Sequence, residues 1–377
     1  MSKRSKAKKN RSTKNLFVNG LSGDEYSQKY DEMLVTKAQK RKKLIKKILL
    51  IALCVLLALA IIAASVFAYL YYSGKGQLKN DKKPSIPANA DVTNVDENTI
   101  IFKGQKYKFD ENITTALCIG VDKDDETQQK TADYGKGGQA DALFLLCIDN
   151  KNKKYTVLSI NRDSMADVDV YYPNGDYSGI QKMQLCLSYA YGDGKKKSCK
   201  NTVKAVSRLL YNIPINSYFS INKACIPLLN DIIGGVEVPL YDNNGNLTGK
   251  TDYLEGEEAY NYIHYRDTSK LDSNLVRMKR QTSYIKAFAS KAIAATKENL
   301  STPLDMFETI SLYSTTNLNA SKITYLTTNA FSDRNDIKID FKSIPGKVSK
   351  GEGGYAEFNV DNNKLLEMII DVFYEKI

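Results

Sequence analysis

The chain has 377 residues, with 54 Lys and Arg, 43 Asp and Glu, one histidine, six cysteines and no tryptophan. A single histidine excludes histidine-rich metal centres, and no Cys/His spacing fits a zinc site. The net charge of +11 would suggest nucleic acid, but the excess lies in residues 1–47, which hold 15 basic and 4 acidic residues against 39 of each in the remainder.

Residues 1–47 read as a basic, disordered cytoplasmic tail, its charge a topology signal and a contact for anionic lipid rather than for nucleic acid. The cluster Lys40-Arg41-Lys42-Lys43, then Lys46-Lys47, abuts an almost unbroken apolar run from Ile48 to Tyr72. At about 1.5 Å rise per residue, a helix over 48–72 reaches past the roughly 30 Å hydrocarbon core of a bilayer. The basic flank places the N-terminus in the cytoplasm and the main domain outside, in a single-pass arrangement. Tyr69, Tyr71 and Tyr72 fall where an outer aromatic belt would lie. A cleaved signal peptide would have a shorter apolar core and a much shorter basic region.

Residues 73–98, with Gly74, Gly76, Pro84 and Pro87, read as a linker. Residues 99–109 predict a small hairpin that opens an extracytoplasmic domain over 99–377. Three apolar runs follow, at Ala116–Val121, Leu143–Ile148 and Tyr155–Ile160. Short continuous apolar runs suit strands covered on both faces. The polar stretch between Asp122 and Asp141 predicts a mobile loop. Helical patterns fall at 183–191, 198–211, 223–233, 255–264 and 273–298, and further strands at 217–221 and 235–240. Residues 301–377 mix helix and strand. This alternation predicts an α/β fold, a three-layer α/β/α sandwich around a central mixed sheet, preceded by one transmembrane helix. The five cysteines beyond the span allow at most two bridges. Cys118 and Cys147 sit in strand-like runs and read as buried thiols or as a bridge between neighbouring strands.

Functional groups of open α/β sheets gather at the carboxyl ends of strands. Asp122 ends the first apolar run, Asp141 opens the second, and Arg162-Asp163 follows the third. Two carboxylates can hold a hard cation that keeps several waters, and arginine forks onto phosphate oxygens. The bland reading of the same residues is loop and helix capping. Farther on, Arg277, Arg280 and Gln281 share one helix face, which meets either an anion or solvent. No GxSxG elbow, Walker loop, GxGxxG or HExxH occurs.

In order and spacing these segments resemble the LytR-CpsA-Psr family of bacterial cell-envelope proteins. Leu117-Cys-Ile-Gly-Val-Asp122 resembles its first strand and aspartate, and Ala140-Asp141-Ala142 its second aspartate motif. Leu158-Ser-Ile-Asn-Arg162-Asp163-Ser resembles its Ser-Ile-Pro-Arg-Asp-Thr. Leu187-Ser-Tyr-Ala-Tyr-Gly192, Ile232-Ile-Gly-Gly-Val-Glu-Val and Tyr265-Arg266 with Arg277-Met-Lys-Arg280-Gln281 complete the series. The resemblance covers roughly residues 95–377.

It implies a Mg²⁺-dependent phosphotransferase. Such an enzyme moves a glycopolymer of teichoic acid or capsular polysaccharide type from a polyprenyl-pyrophosphate carrier to peptidoglycan or a related acceptor. The carrier's lipid lies in an apolar groove between sheet and helices. By the resemblance, Asp122 and Asp141 hold Mg²⁺ (or Mn²⁺), and Arg162, Arg266, Arg277, Gln281, Lys182 and His264 hold the pyrophosphate. Arg162 and Asp163 are then catalytic, Asp163 orienting Arg162 or helping to activate the acceptor hydroxyl. Gln139, Gln184 and His264 stand where the family carries cations, and Lys182, two residues from Gln184, is the stand-in. The alternatives are a catalytically weak carrier-binding scaffold and an envelope regulator whose basic tail meets nucleic acid or a cytoplasmic partner.

Overall fold

A computed structural model describes residues 23–79, 83–88, 91–123, 134–299, 301–331 and 338–377. The chain divides into two units, Met1–Tyr69 and Leu70–Ile377. Helix α1 (Gly23–Gln77) runs through the apolar stretch and is long and apolar enough to cross a membrane. It differs from expectation at both ends. Residues 23–47 are helical rather than disordered: they contain no proline, are rich in Lys, and start with Asp24 and Glu25 in the first turn. Residues 1–22 lie outside the described residues. The expected linker begins inside the helix, because Gly74 serves a close approach and not a turn. A Cβ there would sit 2.0 Å from the carbonyl oxygen of Ser321. Tyr71 rests against Tyr325 with ring centroids 5.3 Å apart, while Tyr69 and Tyr72 are exposed.

Past the helix come β1 (Val92–Asn94), β2 (Thr99–Phe102) and β3 (Gln105–Phe109). The β2–β3 hairpin turns at Lys103-Gly104, both with positive φ, as a tight two-residue turn requires. Three long strands follow: β4 (Ile113–Val121), β5 (Ala140–Asp149) and β6 (Lys154–Ile160). The hairpin β7 (Met165–Tyr171) and β8 (Tyr177–Gln184) leads to a 3-10 turn at Leu185–Ser188, where a helix was expected. Then come α2 (Lys196–Leu209), β9 (Ser217–Asn222), α3 (Cys225–Ile232) and the hairpin β10 (Val236–Tyr241) with β11 (Leu247–Leu254). The remainder is α4 (Glu257–His264), α5 (Ser273–Glu298), α6 (Thr302–Tyr313), β12 (Ser314–Thr316), α7 (Ala320–Phe331), β13 (Ile339–Ser343), the hairpin β14 (Gly346–Lys350) and β15 (Ala356–Val360), α8 (Asn362–Phe373) and β16 (Tyr374–Lys376). Residues 124–133 of the expected mobile loop lie outside the described residues.

The central sheet has the order β12-β9-β4-β5-β6-β13. It is mixed: β5 is antiparallel to β4 and β6, whereas β9 is parallel to β4 and β13 to β6. The strand period of two divides its side chains between two different surroundings. Leu117, Ile119, Leu143, Leu145, Leu158 and Ile160 join a packed core with Ala205 and Val206 of α2 and Ile369, Ile370 and Phe373 of α8. Cys118, Phe144, Leu146, Val157, Phe219 and Ile221 face the other way, toward α3, α5 and α6 across an apolar groove. Both faces demand apolar residues, which is why the runs are continuous in sequence. Helices thus cover both sides of a mixed sheet, as expected.

On the core side, the α2 N-terminus is capped by Asp193, whose carboxylate accepts from the backbone N–H groups of Lys195 and Lys197 at 2.9 Å. Asp169 on β7, 3% exposed, accepts from Lys204 Nζ at 3.0 Å and Arg208 Nη1 at 2.7 Å, pinning the hairpin to α2. All six cysteines are free thiols. Cys118 and Cys147 point to opposite faces of the sheet, so no bridge joins them, and burial pushes the Cys118 thiol up to about 11.

Candidate active site

Because β4, β6 and β9 run in one direction and β5 in the other, three carboxyl ends and the amino end of β5 share one edge of the sheet. Asp122 follows β4 with the parity of Cys118 and Gly120, so it lies on the groove side. Asp141 has the parity of Leu143 and would face the core. A bulge prevents this: Gly120 pairs with Ala142 and Val121 with Ala140, leaving Asp141 unpaired between them. Bulges re-aim side chains. Here the bulge brings Asp141 onto the groove lining beside Asp122.

The groove encloses about 440 Å³, within the range of small-molecule sites. Its walls are almost wholly hydrocarbon, from the sheet residues named above to Ile285 and Phe288 of α5 and Met306 and Ile310 of α6. Its charged and amide groups and its histidine collect at one end: Asp122, Asp141, Asn222, Lys223, His264, Arg277 and Gln281.

Asp141 is held by two guanidinium groups. Arg162 donates through Nη1 to its Oδ1, and Arg277 through Nη1 to its Oδ2 at 3.3 Å. Arg162 also donates through Nη2 to Gln139 Oε1 and to Cys186 Sγ at 3.1 Å. Asp163 lies 3.4 Å from Arg162 Nε as an ion pair without hydrogen-bond alignment. Burial raises the Asp163 carboxyl pKa above its ordinary value, against the pull of Arg162, Arg277 and Arg266. At 5% exposure Asp163 does not line the groove; it faces Arg162.

Arg277, 3% exposed, is fixed from behind. Asn274 Oδ1 accepts from its Nε at 3.1 Å and its Nη2 at 2.8 Å, and Asn274 Nδ2 donates to Asn161 Oδ1 at 2.7 Å. Burial lowers the Arg277 pKa, and Asp141 opposes the shift. Arg280 turns away from the groove: its Nε donates to Tyr262 O at 3.0 Å and its Nη2 to Tyr265 O, closing the carboxyl end of α4. Gln281 Nε2 donates to Ile263 O at 3.3 Å. Arg266 is exposed on the loop after α4, near enough to Asp163 and Arg277 for its charge to act on both.

The edge of the sheet therefore gathers Asp122, Asp141, Arg162, Asp163, His264, Arg277 and Gln281, with Arg266 at its rim. Lys182 is not with them. It is exposed on β8 opposite Asp167 and does not line the groove. Gln184 is committed elsewhere, its Nε2 donating to Ala356 O at 2.6 Å. His264 stacks on Tyr260 with centroids 4.9 Å apart and planes at 25°. The sequence reading missed Gln139 as an acceptor for Arg162, the Asn161–Asn274 support of Arg277, and Lys223 at the groove mouth. One signal was available for Lys223: Asn222-Lys223 follows an apolar strand just as Asp122 does.

The donor set at the mouth is two carboxylates, and no group of three or more His, Cys, Asp or Glu suited to a metal occurs among the described residues. Two carboxylates suit a hard divalent cation that takes its other ligands from water and phosphate.

The model of the LytR_cpsA_psr family matches residues 69–371. The chain is 26% identical over 249 residues to the polyisoprenyl-teichoic acid–peptidoglycan teichoic acid transferase TagU of Enterococcus faecalis, covering 63% of this chain and 69% of that protein. It is 25% identical over 354 residues to TagU of Bacillus licheniformis, covering 89% and 98%. The crystal structure of Bacillus subtilis TagV superposes with a TM-score of 0.52 at 22% identity, over 70% of this chain and 96% of that one. With the matched span reaching from the end of the apolar helix to α8, the chain belongs to the LytR_cpsA_psr family.

Proposed function

We propose that this protein transfers a glycopolymer of teichoic acid or capsular polysaccharide type from a polyprenyl-diphosphate carrier to peptidoglycan or a related cell-wall acceptor. The observation that carries the reading is an apolar groove with two carboxylates and converging guanidinium groups at one end. A diphosphate-linked lipid is one molecule with both halves of that chemistry. The names of the TagU relatives support the same reaction class.

In the reaction, the acceptor hydroxyl oxygen bonds to the sugar-bearing phosphorus. The bond from that phosphorus to the bridging oxygen breaks, and polyprenyl phosphate leaves with the hydroxyl proton. Such transfers depend on positioning and charge neutralisation more than on a protein nucleophile. Asp122 and Asp141 are the residues to hold Mg²⁺ or Mn²⁺, which when bound neutralises diphosphate oxygens. Arg277, braced by Asn274 through Nε and Nη2, turns its Nη1 toward the phosphates. Arg162, released from Asp141, adds a second, and Asp163 is its positioning residue. Gln281, His264 and Arg266 flank the same end. On this reading the basic flank of α1 stays in the cytoplasm and the groove lies outside the membrane.

The test is transfer by the full chain in detergent micelles, from a polyprenyl-diphosphate glycan to peptidoglycan sacculi with Mg²⁺. Asp141→Asn should lower the rate about 100-fold or more, as removal of a transition-state charge partner does. An unchanged rate overturns the assignment. Tight carrier binding without transfer by the wild type would favour a scaffold instead.

A further inference from the structure

Lys223 lies outside every motif in the chain and yet stands at the mouth of the groove. The parallel pairing of β4 with β9 sets Val121 against Asn222, so the next residue on each strand is Asp122 and Lys223. Its backbone is fixed on both sides: Lys223 N donates to Val121 O at 3.2 Å, and its own carbonyl accepts from Ile226 N at 3.1 Å where α3 begins. The side chain reaches Asp122, with Nζ 3.0 Å from Oδ1. The ammonium also lies 5.8 Å from the centre of the Tyr260 ring, which carries His264 on its stack.

Asp122 and Asp141 are paired differently. Asp141 is shared by two guanidinium groups that are themselves largely buried. The Asp122–Lys223 side chains are 42% and 25% exposed, and a wet pair of this kind is weak and exchangeable. Among the described groove-lining residues Lys223 is the one ammonium. A lysine on a four-carbon stem swings over several ångströms, where a braced arginine does not.

We propose that Lys223 is a further diphosphate-binding residue of the transfer site, held on Asp122 until a divalent cation takes that carboxylate and then passed to the phosphate oxygens. The pair thus couples cation binding to carrier binding: each ligand frees the partner the other needs. This rests on the transfer reading above and adds to it a residue that no motif marks.

Three measurements on wild type, Lys223→Met and Lys223→Arg test it, each variant first shown to melt as the wild type does. Binding of Mn²⁺ alone, followed by loss of the free-ion paramagnetic resonance signal, should tighten several-fold in Lys223→Met because the competing ammonium is gone. Inorganic pyrophosphate binding in the presence of Mn²⁺ should weaken about tenfold, the size of one charge-assisted contact. The KM for the lipid-linked donor should rise by a similar factor with kcat little changed, and Lys223→Arg should restore it. Unchanged Mn²⁺ binding, or unchanged pyrophosphate binding, in Lys223→Met overturns the proposal. Should the wild type transfer no glycan, the transfer reading fails, while the Mn²⁺ and pyrophosphate measurements still decide Lys223.

Discussion

Leu145 and Leu146 are neighbours on one strand, identical in chemistry and opposite in surroundings. Leu145 is fully buried in the core under α2 and α8, while Leu146 is half-buried on the groove wall. The same contrast runs along β4, where residues of the core parity are buried and those of the groove parity are intermediate from Ala116 to Val121. One face of the sheet is filled by the protein itself. The other leaves hydrocarbon surface lining an open groove. Apolar content alone therefore says little about stability; what matters is whether the opposing atoms are already present.

The largest expected effect on folding is on the filled face. Leu145→Ala should cost about 2–5 kcal/mol, the range for a cavity in a packed core, read from the midpoint of chemical denaturation by circular dichroism. Next comes Asp169→Asn, at about 1.5–3 kcal/mol for lost hydrogen bonds to charged groups. Burial alone would raise the Asp169 pKa, but Arg208 and Lys204 outweigh it and hold the carboxyl below its ordinary 3.8. A depressed acid contributes stability above its unfolded pKa and loses it as pH falls through the folded value. The gap between wild type and Asp169→Asn should therefore be full at neutral pH and close as the solution is taken below pH 3.8. The smallest folding effect belongs to Leu146→Ala, under about 1 kcal/mol because its side chain meets open space. That variant should instead raise the half-saturating concentration of a long-chain donor roughly three- to tenfold, in line with lost hydrocarbon contact, and leave a donor with a truncated lipid unaffected. Equal stability losses for Leu145→Ala and Leu146→Ala would erase the distinction between the faces.

Much of the central sheet was legible because its strands are apolar on both sides, and α2 to α5 because their stripes are clear. The β7–β8 and β10–β11 hairpins were harder. β8 and β11 are exposed along most of their length, so no apolar period marks them. Asp122, Asp141, Arg162 and Asp163 sit at strand ends and were readable from that address, whereas Arg277 lies on α5 and Arg266 on the loop after α4. Two things were not. The bulge that turns Asp141 outward depends on how two distant strands pair, and the meeting of Lys223 with Asp122 depends on β9 lying parallel to β4. Neither pairing is written in local periodicity. Lys182 failed for a related reason: its parity matches Gln184, but no residue of the hairpin that carries it lines the groove.

The bulge at Asp141 has a consequence for how this protein can change. Removing that one residue would let β4 and β5 zip without interruption, giving a smoother sheet with an extra regular rung. The same deletion would take away the carboxylate that anchors two arginines. Two buried guanidinium groups would then lose their shared counter-charge, so the smoother sheet would not by itself make a sturdier protein.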